Sequence, residues 1–502
     1  MLEAKQLKIG WGIRDISTNE PVNLTGQFHR RTNQGVADPL YGTVLVVDNG
    51  DDYVVFVTCD VVSVYNLVYD LKAEMAALCP EIDFKKVILA ATHTHTGPSC
   101  YDDPPGTDEN VGIVLPGGVI QYSARRWRRW AAKEVAKAVK DAWDTRAPGK
   151  IAYGYGFAVV AHSRRVWYFD DISKRPDAPD EGGFTVNGRC KMYGNTRDDK
   201  FSHYEAGADH FANFLYTYDM NDKLTGAIIN IPCPAQNSEM EYKMSADYWA
   251  DVRNIIHKKY GDIFILPQCG PAGDLSPRIL HYKEAQDRRF RLKYPEEELT
   301  EHCARKDIAE RIEFAFTETL SWAQKEKFDK LPLKHISELM HIARRKITEE
   351  EKAIAEEGVR KAQAMPIKTD GTEIERTEHN TMITTLIARN QRVLERYEDY
   401  KKDPTYPMDV HAVRIGDVAF TSNHPELYSD YAHRIQARSP FAQTFVIQIC
   451  ANESSPANFY LPTERATEGK GYGAEMFSNP VSPEGGQELV EGTLKLLNEI
   501  AD

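Results

Sequence analysis

An α/β fold, with mixed sheets flanked by helices, is what this sequence predicts, and three observations predict it. Short apolar runs alternate with amphipathic helical stretches through the first half of the chain. Several of those runs stop abruptly in polar clusters, which is where α/β proteins build their sites. With 42% hydrophobic and 27% charged residues over 502 positions, the composition is ordinary for a globular protein, and the length suits one large domain or two to three smaller ones.

The elements follow in order. GTVLVVDNG (42–50) and YVVFVTCD (53–60) read as two strands joined through Asn49-Gly50-Asp51-Asp52, a hairpin signal. VYNLVYDLKAEMAALC (64–79) carries helical periodicity, and KVILAAT (86–92) is the next strand. The stretch 117–144 ends in a long amphipathic helix. KIAYGYGFAVVAHSRR (150–165), TGAIINIPC (225–233) and IFILPQCG (263–270) read as strands again. Residues 282–403 differ, being charged and helix-favouring; they predict a solvated helical insertion, with a partner-binding or dimerising arm as the other reading. Strands resume in VHAVRIGDVAFTSNHPE (410–426) and TFVIQICANESS (444–455), and a helix over 485–500 closes the chain. The expected organisation is one catalytic domain formed by 1–281 and 404–502, interrupted by the helical insertion 282–403.

Composition excludes some functions. A formal net charge of −13 argues against nucleic acid as a partner. No run approaches ~18 consecutive apolar residues, so no transmembrane helix is expected. MLEAKQLKIGWG lacks a basic region followed by an apolar one, which predicts a cytoplasmic chain, or a periplasmic or secreted one if a leader was trimmed. The eight cysteines form no CxxC pair and suit reduced thiols in an enzyme rather than a disulfide framework. The expected partner is a small molecule with an acyl-amide or sugar-like group, and a homo-oligomer stays open.

Four strand ends carry the chemistry. ATHTHTGP (91–98) offers His93 and His95 two residues apart, so a continuing strand would present both imidazoles to one face. They are metal ligands, or structural histidines beside a turn. CGPAGDLSPR (269–278) is a glycine-rich turn around Asp274 and Ser276, suited to an acyl-transfer or oxyanion site, or to a tight turn that Asp274 caps. TSNHPEL (421–427) supplies His424 and Glu426, and the loop NFYLPTERATEGKGYG (458–473) supplies Tyr460, Glu464 and Tyr472.

These stretches resemble the catalytic domain of the neutral (non-lysosomal) ceramidases, zinc-dependent amidases that cleave the N-acyl bond of ceramide. ATHTHTGP is similar to that family's ATHTHSGP, and GDLSP to its GDVSP. SADYWAD (245–251), NFYLPTERATEGKGYG and GWGIRDIS (10–17) also have counterparts, so the likeness runs from about residue 7 to the end. The resemblance implies a ceramidase-like fold with His93, Glu426 and Tyr460 as zinc ligands. It implies His95 and Tyr472 at the substrate carbonyl or oxyanion, and Ser276 as nucleophile or substrate anchor. Arg164 and Gly26 would bind substrate.

Three departures qualify this. Where the family has its remaining ligand, a histidine in an HP dipeptide, this chain has Cys233-Pro234. Cysteine binds zinc at ~2.3 Å, so Cys233 is the expected fourth ligand; a Cys233 nucleophile without metal, and a site that has lost its metal, are the alternatives. The sequence stops after TLKLLNEIAD, so the immunoglobulin-like domain of characterised ceramidases is not expected. The charged segment 282–403 and the lack of a membrane-facing amphipathic stretch point to a substrate other than membrane ceramide. The reading that results is a zinc-dependent hydrolase of a linear amide bond. A carbohydrate-active hydrolase using paired carboxylates such as Glu426 and Glu464, and a non-catalytic binding protein on the same fold, are its rivals.

Overall fold

The computed structural model describes residues 3–178, 184–455 and 457–502; Met1 and Leu2, where the reading of a missing leader begins, lie outside them. Counting the strands that build the two large sheets and the site, the first half holds β1 (Lys8–Asp15), β2 (Tyr41–Asp48), β3 (Tyr53–Cys59), α1 (Leu67–Leu78), β4 (Val87–Ala91) and α2 (Ala124–Asp144). Next come β5 (Ala147–Phe157), β6 (His162–Ser163), β7 (Phe211–Asp219), β8 (Leu224–Ile231), α3 (Tyr248–Tyr260), β9 (Phe264–Cys269) and β10 (Leu275–Ser276). The hairpin forms as the sequence predicts: Asp48 pairs with Tyr53, and Asn49 Oδ1 accepts from the Asp51 and Asp52 amides at 3.0 Å.

The charged segment folds as α4 (Lys283–Lys293), α5 (Thr300–Ala323), β11 (Leu333–Ala343), α6 (Glu349–Gln363) and α7 (Glu373–Lys402). It departs from a solvated helical insertion in two ways. Helix α5 buries Ile308, Ile312 and Phe316 in the main core. And β11, written in helix-favouring Leu, Glu and Met, is a strand because it pairs along its whole length with its neighbour, tertiary pairing overriding local preference. The chain ends with β12 (Thr405–Ile415), β13 (Val418–Ser422), β14 (Glu426–Leu427), α8 (Ser429–Arg438), β15 (Gln443–Ile447), β16 (Tyr460–Leu461), α9 (Glu464–Gly469) and α10 (Pro483–Ala501).

The first sheet has eight strands in the order β9-β8-β7-β5-β1-β2-β3-β4 and the second has four, β11-β12-β13-β15. Parallel pairs occur only at β3/β4, β8/β9 and β13/β15 among these strands. The sheets stack face to face between two helical layers. Leu45, Val47, Val54, Phe56 and Ile88 point to the second sheet and meet Phe420, Phe445 and Ile447. Val44, Val46, Val55, Val57 and Leu89 point the other way, under α1, α2, α3 and α5. Burial on both faces is why these strands read as unbroken apolar runs rather than as alternations. Helices α8 and α10 cover the outer face of the second sheet. The eight-stranded sheet curls until its edge strands β4 and β9 touch. The segment after β15 bridges them, with the Gln448 amide on Cys269 O and the Ala451 amide on Leu89 O. Polar strand ends from both edges therefore arrive at one place.

Candidate functional site

Strand β4 stops at Ala91, so the i, i+2 alternation of a strand is not what aims the two histidines. His93 adopts a left-handed backbone, φ 64°, and the turn brings the His93 and His95 rings edge to face, 4.8 Å between centroids. His93 Nδ1 lies 2.7 Å from the Val62 carbonyl. A carbonyl only accepts, so Nδ1 carries the proton and Nε2 presents its lone pair. That lone pair lies 3.4 Å from Glu426 Oε2. Glu426 is on β14, whose parallel partner β16 sets Tyr460 directly opposite it. Gly273 lets this ribbon approach, because a Cβ there would sit 2.4 Å from Glu426 O. Arg164 completes the group: its Nη2 donates to Gly273 O at 2.9 Å and Tyr460 OH at 3.3 Å, and lies 3.6 Å from Glu426 Oε2. Burial alone would raise the Glu426 carboxyl. His93, Arg164 and the Tyr460 hydroxyl reverse that and hold it below its ordinary value, whereas burial pushes the Tyr460 phenol well up.

A second group adjoins the first. Ser276, fully buried on β10, accepts from the Arg278 amide at 3.2 Å and faces Tyr193 OH at 3.3 Å and Gln236 Nε2 at 3.5 Å. Arg164 Nη1 also reaches Tyr193 OH at 3.3 Å, linking the two groups. His95 Nδ1 is 3.2 Å from Glu239 Oε2, and Glu239 is paired with Arg278. Neither ring nitrogen of His95 has an aligned hydrogen bond, and burial moves the imidazole below its ordinary pKa despite Glu239. Gly26 lies under this ring: its φ is +119°, and a Cβ there would meet His95 Cβ at 2.5 Å. Tyr472, pushed up to about 12 by burial, stands edge-on to Tyr460 at 5.4 Å and to Phe28 at 5.5 Å.

Of the residues singled out in the sequence, His93, His95, Gly26, Arg164, Ser276, Glu426, Tyr460 and Tyr472 thus gather in one region. Cys233 does not. Its thiol donates to Val160 O at 3.4 Å in an apolar pocket, and burial drives its pKa well up. The residue of that stretch lying against His95 is Ala235, whose carbonyl accepts the His95 amide at 3.1 Å and whose side chain has no donor atom. The four-ligand set with Cys233 is therefore not assembled, and among the described residues no three His, Cys, Asp or Glu side chains meet at one point. The remaining donors still fit a cation. Two lone pairs, on His93 Nε2 and Glu426 Oε2, face each other at 3.4 Å with Tyr460 beside them. The far side of the imidazole is fixed on a backbone carbonyl, as ligating histidines are. Three protein donors and an open position form the pattern of catalytic zinc sites.

Other residues settle as scaffold. Arg165 is tied to Glu205 at 2.8 Å, Asp60 to Arg253 at 2.8 Å, and Asp247 caps α3 through the Tyr248 amide at 2.7 Å. Asp274 binds the amide and hydroxyl of Ser429 at the start of α8. His424 is held by the Cys450 and Ala457 carbonyls, and Glu464 is exposed on α9. The sequence gave no motif for Tyr193, Gln236, Glu239 or Asn458, which donates to Glu426 Oε1 at 3.2 Å. For Gln236 and Glu239 the one signal was their place in a polar cluster just beyond strand β8.

An α/β sandwich with a buried polar centre where strand ends converge is the class that this fold and site define. More narrowly, the fold is neutral-ceramidase-like. The chain is similar to the crystal structure of neutral ceramidase from Pseudomonas aeruginosa, with a TM-score of 0.64 at 16% identity, over 99% of this chain and 75% of that one. It is equally similar to a ceramidase complexed with C2, with a TM-score of 0.64 at 16% identity, over 99% of this chain and 76% of that one. No protein-family model and no curated protein matches the sequence.

Proposed function

We propose that this chain is a zinc-dependent hydrolase of a linear amide (N-acyl) bond. One observation carries the reading: the lone pairs of His93 Nε2 and Glu426 Oε2 face each other at 3.4 Å, buried, next to a serine, an imidazole and a phenol with polar atoms to spare. His93, Glu426 and Tyr460 would hold the ion, which when bound supplies Lewis-acid polarisation of the scissile carbonyl.

The chain's own residues do the rest. Glu239 Oε2 faces His95 Nδ1 at 3.2 Å, so the ring keeps Nε2 free to take a proton from an attacking water and return it to the leaving amine as the C–N bond breaks. Ser276 has no imidazole or carboxylate within hydrogen-bond reach among the described residues, and it already accepts the Arg278 amide. That environment suits a hydroxyl donating to the substrate carbonyl rather than an activated nucleophile. Tyr472, kept protonated by burial, donates to the oxyanion from the other side. Arg164 fixes Glu426 and Tyr460 and, with Gly26 below His95, shapes the substrate's seat. The carbohydrate alternative needs a second carboxylate facing Glu426, and Glu464 is exposed to solvent.

The test is release of free acid from N-acyl amides of graded chain length by the zinc-supplemented protein, beside Ser276→Ala and His95→Ala. Amide cleavage falling ~10²-fold or more in each variant supports the reading. No release from any amide, or release unaffected by both substitutions, overturns it and favours a binding protein on this fold.

A further inference from the structure

Helix α7 is fastened to the loop that carries Gly26. Thr385 Oγ1 donates to Phe28 O at 2.7 Å, and the Arg30 amide donates to Thr381 Oγ1 at 2.9 Å. Arg389 lies over the Phe28 and Tyr472 rings, 5.0 and 5.7 Å from their centroids. Within the next turn, Arg392 is exposed and forms no hydrogen bond or ion pair with a described residue. The Arg30 guanidinium likewise has no hydrogen-bonded partner among the described residues.

Both arginines act on the same spot. Arg392 and Arg30 lie within electrostatic reach of Tyr101, and Arg392 within reach of Tyr65; Glu426 of the site is in reach of both phenols. The two phenols are hydrogen-bonded through their hydroxyls, Tyr101 being 40% exposed and Tyr65 beneath it 7%. The pair therefore leads from solvent to the side of Glu426, flanked by cations. The nearby carboxylates are occupied: Asp103 binds the Ser123 hydroxyl at 2.6 Å and the Ala124 amide at 2.7 Å, and Asp102 is paired with Arg128 at 3.2 Å. In a chain of net charge −13, two arginines free of carboxylate partners beside one opening form a built receptor for an anion.

We infer that the substrate carries an oxyanion, a carboxylate, sulfate or phosphate, which Arg30 and Arg392 grip at the Tyr65–Tyr101 entrance while the amide lies at Ser276. Guanidinium groups match such oxyanions with paired N–H bonds. This rests on the amidase reading for where the scissile bond lies.

The experiment measures binding by calorimetry and, separately, cleavage, for the full chain with N-octanoylglycine, its neutral counterpart N-octanoylethanolamine, and inorganic sulfate. The expected result is a preference of ~10-fold or more for the carboxylate, shrinking as salt rises from about 0.05 to 0.5 M. Arg30→Gln and Arg392→Gln each remove most of that preference with the melting temperature unchanged. Arg288→Gln, exposed on α4, keeps it. Equal binding of the two amides, binding of neither, or sulfate binding without the acylglycine overturns the inference. Cleavage of both amides at equal rates would remove this inference and leave the amidase reading. Anion-selective binding without cleavage would do the reverse.

Discussion

Replacing Glu426 by Gln keeps its size and a possible contact with Asn458 and removes only the charge. Arg164 and Glu426 are 3% and 6% exposed, and no other carboxylate lies within ion-pair distance of Arg164 among the described residues. The substitution therefore strands a buried guanidinium, and breaking a buried ion pair by removing one partner costs ~3–5 kcal/mol. For a chain of 502 residues the entropy of unfolding is ~1 kcal/mol/K, so the melting temperature should fall by ~3–5 °C if the two-sheet core unfolds as one unit. Scanning calorimetry at pH 7 on the wild type, Glu426→Gln and the exposed control Glu464→Gln reads this directly. The control should move by less than ~0.5 kcal/mol. A fall under ~1 °C for Glu426→Gln would refute the reasoning, because Arg164 would then not depend on that carboxylate.

Two further outcomes follow from the same geometry. Burial raises Asp274 from 3.8 to about 6 despite its two bonds from Ser429. The folded state therefore binds that proton more tightly than the unfolded chain, and stability falls as pH rises from about 4 to 6, by ~3 kcal/mol in all. Asp274→Asn, followed by urea melts between pH 4 and 8, should flatten that fall. Gly26→Ala adds a Cβ 2.5 Å from His95 Cβ at a φ of +119°. It should cost ~1–3 kcal/mol and displace His95, lowering amide turnover more than binding.

The strands were legible because burial on both faces leaves a signature that one sequence carries by itself, an unbroken apolar run such as TVLVV or VILAA. Strand β11 was not, since LKHISELMHIA is made a strand only by β12, some seventy residues on. The site was legible at His93, His95, Ser276 and Glu426, which close strand ends. What aims them was not: a left-handed turn at His93 takes the place of strand alternation. Cys233 shows the limit most clearly. Motif position put a ligand there, but the chain leaving β8 brings Ala235, two residues later, to His95, and only the folded register decides that. Glu239 and Tyr193 reach the site across long stretches of sequence that no local pattern spans.

The most direct test of the centre is the metal content of the purified protein, measured by elemental analysis for the wild type, His93→Ala, Glu426→Gln and Cys233→Ser. About one zinc per chain, lost from the first two variants and retained in Cys233→Ser, is the result expected from three converging donors with the thiol turned to Val160. Zinc lost on replacing Cys233 and kept without His93 would contradict it.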